Sequence, residues 1–207
     1  LALDLHDVAF KYGEGGAQSS AAPPARIDAL NGRIQFQQGR WALEQLAVCA
    51  ADSDFLINGS GQGSEWNATV SGQQLNVNAV TELVESFRRT NKLEGEAEEP
   101  TAPQKTYHGA MELSLARVLY RRGVLSDVSA HADIPPKTIR IENLSARPYQ
   151  GAVTGLVTIT RGKPDWYALD LKMDGIQSRI IDETAFLEPR DFHGILSGQI
   201  QASFPIG

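Results

Sequence analysis

The side chains that most often carry chemistry are scattered along this sequence, outside the spacing of any catalytic or metal-binding motif. The histidines at positions 6, 108, 131 and 193 form no HxxxH or HExxH pair. No GxSxG segment presents a serine nucleophile. Cys49 is the only cysteine and has no neighbouring base, which indicates a small packing residue and excludes an intrachain disulfide. We therefore expect no enzyme activity, no cofactor and no metal site.

Three further features invite a chemical interpretation. The run Gly59–Ser60–Gly61–Gln62–Gly63 lacks the lysine and the following helix of a phosphate loop, so we interpret it as a turn between strands. Paired acids such as Asp52 and Asp54 do not match an EF-hand loop. The tryptophans are typical either of a carbohydrate-stacking platform or of core packing, and their register with apolar strand faces favours packing. These tryptophans are Trp41, Trp66 and Trp166.

Composition restricts the class of protein. The 207 residues are 42% hydrophobic and 21% charged, as in an ordinary globular protein. A net charge of -6 argues against nucleic-acid binding, which needs a basic surface. No apolar run reaches the roughly 18 to 20 residues of a membrane-spanning helix, and no signal peptide is recognisable. Because Leu1 already lies in a strand pattern, we expect an excised piece whose anchor lies outside it.

Alternation with period two dominates the chain. For example, Leu169, Leu171 and Met173 alternate with Asp170 and Lys172. The pattern predicts about ten to twelve antiparallel strands, each with one apolar face. Helical spacing appears only twice. One predicted helix starts at Asn78 as N-cap and contains Leu83, Val84 and Phe87, and a shorter one lies near residues 178–188.

The sequence divides into two similar halves. We expect a first β repeat over residues 1–89, an acidic mobile linker over residues 90–106 and a second β repeat over residues 107–207. Trp41–Leu43–Leu46 in the first half corresponds to Ile139–Ile141–Leu144 in the second, at an offset of about 100 residues. A degenerate repeat predicts an extended stack more than a closed globule.

The predicted strands present more apolar surface than two short helices can cover. A sheet must bury its apolar face against something. A closed sandwich with a filled core would do so without a ligand, whereas an open groove would leave room for one. Small residues at inward positions favour a groove for acyl chains, and the residues alone leave both outcomes open. These small residues are Ala130, Ala132, Gly155, Gly198 and Ala202.

Several segments together resemble the AsmA-type repeat of Gram-negative envelope proteins. The resemblance covers roughly residues 30–90 and 107–204. It lies in the order and residue pattern of the predicted strands and includes no signature motif. Its segments are Leu43–Leu46, Ile57–Gly61, Trp66–Val77, Ile139–Ala146, Tyr149–Gly151, Gly155, Leu169–Leu171, Asp174–Ile176 and Phe192–Gly198. The acidic linker departs from the pattern by interrupting the stack.

The resemblance implies a mainly β fold in which a long curled antiparallel sheet forms an open groove or half-barrel. It also implies a periplasmic segment of an inner-membrane-anchored protein that binds or conducts phospholipid acyl chains for outer-membrane lipid homeostasis, without catalytic residues. The alternative is a closed β-sandwich whose edges, or the helix at Asn78–Arg89, dock partner proteins in envelope assembly. The predicted groove lining is Leu113, Leu115, Ile139, Ile141, Val153, Val157, Ile159, Leu169, Leu171 and Ile200.

Overall fold

Strands make up nearly all of the described structure, a computed structural model that covers residues 1–11, 26–50, 52–82, 107–178 and 194–206. Most strands contain ten to thirteen residues. They are β1 (Ala2–Lys11), β2 (Arg26–Gln37), β3 (Arg40–Ala50), β4 (Ser53–Gln62), β5 (Glu65–Asn76), β6 (His108–Tyr120), β7 (Gly123–Ile134), β8 (Thr138–Pro148), β9 (Ala152–Thr160), β10 (Asp165–Gln177) and β11 (Ile195–Ile206).

All eleven strands belong to one sheet, in which spatial order follows sequence order from β1 to β11. The sheet is not closed. This confirms a mainly β fold built on a single open sheet, and it differs from the sandwich alternative, which needs two packed sheets. The two predicted halves therefore share one sheet. The proposed linker over residues 90–106 lies outside the described residues.

One ladder corrects the expectation of an antiparallel sheet. The pair β5 and β6 is parallel, with Glu65 opposite His108 and Asn76 opposite Leu119, whereas the other ladders are antiparallel. A parallel pair needs a connection that returns along the full length of the strands. The chain leaves β5 at one end of the sheet and re-enters β6 at the other, so the two halves join through a crossover instead of a hairpin.

The strand register divides the side chains into two faces. We call the face that carries Leu115, Val157 and Leu169 the apolar face and the opposite one the polar face. On β10, Leu169 and Leu171 lie on the apolar face, while Asp170 and Lys172 lie on the polar face. Period-two alternation thus has the predicted consequence that one face of each strand is apolar.

The same bulge recurs in four strand pairs. In each, the register shifts around a residue with positive φ, and a glycine borders the shift on the partner strand. At Gln45 (φ 50°), the backbone N–H donates to Asn58 Oδ1 at 2.8 Å, next to Gly59. A bulge adds one residue and increases the local twist. The four positive-φ residues are Asp7, Gln45, Asn143 and Gly175.

Helix is confined to residues 77–82 in the described chain. Its N-cap is Asn76, whose Oδ1 accepts the N–H of Ala79 at 3.3 Å, so the prediction of Asn78 as N-cap was wrong. Asn78 instead forms two bonds with the β6–β7 turn: its Oδ1 accepts the N–H of Arg121, and its Nδ2 donates to the Arg121 carbonyl.

The remaining helix predictions largely fall outside the described residues. They concern Leu83, Val84, Phe87 and the end of the first helix at Arg89, and all of the second helix except Ser178. Ser178 is a buried turn residue whose N–H donates to the Gly194 carbonyl at 2.9 Å.

Burial is concentrated at one end of the sheet, which we call the helix end because residues 77–82 lie there. Val77 packs against a cluster of Leu115, Val118, Val128 and Ala146. Leu115 is only 2% exposed. The helical turn therefore covers the apolar face where β6, β7 and β8 meet at this end.

Candidate functional site: the apolar face

The ten residues predicted to line a groove all lie on the apolar face. Val157 is opposite both Ile141 and Leu169, and Ile159 is opposite Ile139, which places these side chains in adjacent rows. Leu113 and Leu115 lie two residues apart on β6 and share the face. The remaining members follow from the same register: Val153 is opposite Met173, and Ile200 is opposite Leu171.

One row of this face crosses the whole sheet without a polar side chain. Adjacent members are register partners on neighbouring strands and therefore lie side by side. From β1 to β11 the row is Leu3, Ile34, Leu43, Gly59, Ala68, Met111, Ala132, Ile141, Val157, Leu169 and Ala202. Ten strand spacings of about 4.8 Å give a row roughly 48 Å long.

Exposure along the row rises from the centre of the sheet to its edges. Ala132 is 6% exposed on β7, whereas Leu3 is 44% exposed on β1 and Ile200, on the same face of β11, is 43% exposed. Within the described residues each strand packs mainly against its sheet neighbours, so no second layer covers this face apart from the helical turn at the helix end. Side chains at the centre are shielded by one another and by the helical turn.

The small residues predicted to face inward also lie on the apolar face, and their surroundings differ. A Cβ at Gly198 would meet no atom within 4 Å, so space lies open in front of β11 there. A Cβ at Gly155 would collide with the Asp170 carbonyl oxygen and come within 3.0 Å of Leu171 Cδ2. Gly198 thus leaves a recess, whereas Gly155 admits the close approach of β10.

Two of the three tryptophans lie as predicted. Trp41 is opposite Gly61, and Trp66 is opposite Gly61 and Gly109, so the two indoles lie across glycines on the apolar face. Trp166 is opposite Thr160 and Pro205 on the polar face and is 49% exposed, so its predicted register with an apolar face was wrong.

The glycine-rich run is a strand and only partly a turn. Gly59 and Gly61 lie in β4, where Gly61 makes room for the Trp41 ring: a Cβ there would lie 2.5 Å from Nε1. Gly63 alone of the three glycines is a turn residue, with φ of 62°. The glycine at position 61 is thus explained by the packing of a tryptophan on the neighbouring strand, which the sequence pattern could not reveal.

Polar and charged side chains cluster on the opposite face around His131. Its Nδ1 lies 2.6 Å from Glu112 Oε1, and its Nε2 lies 3.4 Å from Asp133 Oδ1. The bond to Glu112, together with the charge of both acids, raises the pKa of His131 above its ordinary value. His131 thus lies on the polar side of its strand, as predicted.

Two depressions of the described surface are lined mainly by polar-face residues, and both also reach residues of the apolar face. One, of about 980 Å³, is lined by Gln35, Arg40, Asn67 and His108 among others. The other, of about 700 Å³, includes Ser71 and Ser114 and also Leu115, one of the ten residues predicted to line the groove.

Three observations on the described residues concern metal binding, thiol reactivity and membrane-spanning helices. No cluster of three or more His, Cys, Asp or Glu side chains has the arrangement of a metal site there. Burial and the nearby Asp54 carboxylate raise the pKa of the Cys49 thiol, which makes it a poorer nucleophile. None of the helices described is long and apolar enough to cross a bilayer.

Comparison of the chain with protein-family models, curated proteins and solved structures finds no match. The resemblance to AsmA-type repeats therefore stays a prediction from the sequence.

Proposed function

We propose that this chain is a periplasmic segment of an AsmA-like envelope protein, and that its apolar face binds or conducts phospholipid acyl chains for outer-membrane lipid homeostasis. The observation that carries the proposal is the unbroken apolar row across all eleven strands, which no second layer of the described residues covers. Soluble proteins rarely expose an apolar surface of this extent without a binding role.

The dimensions of the face suit acyl chains. One leaflet of a bilayer core is about 15 Å thick, half of the roughly 30 Å core, which approximates the length of one acyl chain. A row of roughly 48 Å could therefore take several chains in succession. Each methylene moved from water onto an apolar surface stabilises the complex by about 0.8 kcal/mol when fully buried.

Lipid extraction and native mass spectrometry of the purified chain test whether phospholipid copurifies, and a fluorescent phospholipid tests uptake. Val157→Asp and Leu169→Asp place a carboxylate in the row, on β9 and β10. Both variants should lower uptake while far-UV circular dichroism remains that of a β protein.

Matched controls lie one residue away on the same strands. Thr158→Asp and Ala168→Asp add the same charge to the polar face, because Thr158 and Ala168 are register partners there. These controls should take up lipid like the unchanged chain. Equal uptake by all four variants, or no lipid bound to the unchanged chain, would contradict the proposal.

A second candidate, docking of a protein partner, is favoured by the sheet edges. β1 and β11 each pair on one side only in the described residues, and an unpaired edge can accept another strand. A pull-down from envelope extract tests this function. Capture of a partner that is lost when β11 edge residues are substituted, together with no lipid extracted from the purified chain, would favour docking over lipid binding.

A further inference from the structure

The two ends of the sheet differ in what they expose. At the helix end, Leu115 and Ile176 are each 2% exposed. The opposite end, which we call the aromatic end, carries Phe36 at 50%, Tyr107 at 57% and Phe204 at 38% exposure. The helix end also exposes Tyr120 (40%) and Ile195 (76%), but more of the large exposed rings lie at the aromatic end.

Three cations lie together at the aromatic end, in two neighbouring turns. Lys137 precedes β8, and Arg161 and Lys163 lie between β9 and β10. The Arg161 N–H donates to the Lys137 carbonyl at 2.9 Å, which holds the two turns side by side. All three residues are exposed, and none of their side chains forms an ion pair within the described part of the chain.

The only acid within these turns has another role. Asp165 Oδ1 accepts the N–H of Gly162 at 2.8 Å and so caps the β9–β10 turn. One carboxylate against three cations leaves this corner with a local positive charge, although the whole chain has a net charge of -6.

Trp166 completes the corner. It is half exposed, it follows the basic turn directly, and its strand partners are Thr160 and Pro205. On the apolar side of the same strands, Tyr167 stacks on Phe204, with ring centroids 6.0 Å apart and planes 9° apart. Aromatic rings beside cations are the combination found at the headgroup level of bilayers, where one end of the ring is apolar and the other wet.

We propose that this corner, formed by Lys137, Arg161, Lys163 and Trp166, docks the aromatic end of the sheet onto a bilayer surface rich in anionic phospholipid. Each cation near such a surface raises partitioning about fivefold. A nucleic acid fits less well, because the basic patch is small and the rest of the chain is acidic. The proposal goes beyond lipid binding by the apolar face, since docking and uptake are separate measurements.

The corresponding turn at the helix end differs in a way that favours this assignment. Arg121 stacks its guanidinium 5.6 Å from the Tyr120 ring centroid, and its backbone is bonded on both sides to Asn78. The Arg121 guanidinium therefore already contacts an aromatic ring within the fold. By contrast, no aromatic ring and no ion pair of the described residues engages Lys137, Arg161 or Lys163.

The test is sedimentation of the whole chain with vesicles of phosphatidylcholine, with and without phosphatidylglycerol. The unchanged chain should bind only the anionic vesicles and should dissociate at high salt, because exposed charges are screened. Lys137→Glu combined with Lys163→Glu should lower partitioning at least tenfold. Arg117→Glu combined with Lys172→Glu changes the net charge equally at exposed positions within β6 and β10 and should bind like the unchanged chain.

A second measurement addresses Trp166. Lipids brominated on their acyl chains should quench tryptophan fluorescence in the unchanged chain, and Trp166→Phe should remove the contribution of the corner, leaving that of Trp41 and Trp66 on the apolar face. Equal binding to both vesicle types, equal losses in the two double variants, or capture of a protein at the corner with no vesicle binding would each overturn the proposal. Vesicle binding with no fluorescent-lipid uptake would support docking while contradicting the function proposed for the apolar face.

Discussion

The indole of Trp66 lies across Gly109, its register partner on the parallel strand β6. A Cβ at residue 109 would fall within the space of the ring, and Gly109 is buried. The contact therefore fastens the one parallel ladder, which joins the two halves of the sheet.

Gly109→Ala should consequently destabilise the fold by about 1–3 kcal/mol, since overpacking forces the indole or the backbone to move. Urea unfolding followed by circular dichroism measures the change. Gly194→Ala is the control, because a Cβ there would meet nothing closer than Ser178 Oγ at 3.9 Å. Equal stability of the two variants would show that the indole does not need the space at Gly109.

The buried cluster at the helix end should contribute more to stability than the sheet edge. Leu115→Ala removes a side chain that is 2% exposed and should cost about 2–5 kcal/mol. Ile200→Ala, at a position 43% exposed on the edge strand, should cost about 1 kcal/mol or less. Similar losses in urea unfolding would contradict the burial gradient from the centre to the edge.

The recurrent bulge makes a prediction at Asn58. Its Oδ1 accepts the N–H of Gln45, whose positive φ turns this donor away from the regular ladder. Asn58→Ala should cost about 1 kcal/mol because the donor loses its protein partner. Asn67→Ala, on the exposed surface of β5, should destabilise the fold less. Thermal unfolding of both variants measures the difference.

Stability should depend on pH through His131. Its pKa is raised in the fold, first by the hydrogen bond with Glu112 and then by the charge of Glu112 and Asp133. The folded state therefore holds the proton more tightly than the unfolded chain, whose histidine has a pKa of about 6.5. The stabilisation is complete below about pH 6.5 and is lost as pH rises through the raised pKa.

Urea midpoints measured across this pH range for the unchanged chain and for His131→Gln test that dependence. The difference between the two should shrink as pH rises, and Glu112→Gln should lower the pKa of the imidazole in an NMR titration. A constant difference at all pH values would contradict the role of the Glu112 contact.

Cys49 should react slowly with iodoacetamide near neutral pH. Burial and the Asp54 carboxylate, 3.9 Å from Sγ, raise the thiol pKa and leave less thiolate. Asp54→Asn should speed the reaction, while Asp52→Asn, at the exposed turn between β3 and β4, should change it little. Alkylation as fast as that of a small free thiol would contradict the raised pKa.

The sequence by itself determined which side chains share a face, because a strand has a side-chain period of two and a misplaced register would turn apolar residues into water. Leu113, Val157 and Leu169 were placed correctly on this ground. Leu43 and Leu46 are three residues apart instead of two, which already indicated the extra residue of the bulge between them. The prediction for Trp166 was wrong. The alternating apolar residues of β10 have odd numbers, so its even number already indicated that it lies on the polar face.

Only the tertiary structure decided how the halves join, which end of the apolar face is covered, and where the cations gather. The parallel pairing of Glu65 with His108 arises from a crossover between residues distant in sequence, and no local propensity encodes it. Lys137 and Arg161 meet because the sheet sets two turns side by side. Such contacts depend on strand order and register, which are properties of the assembled sheet and not of any one strand.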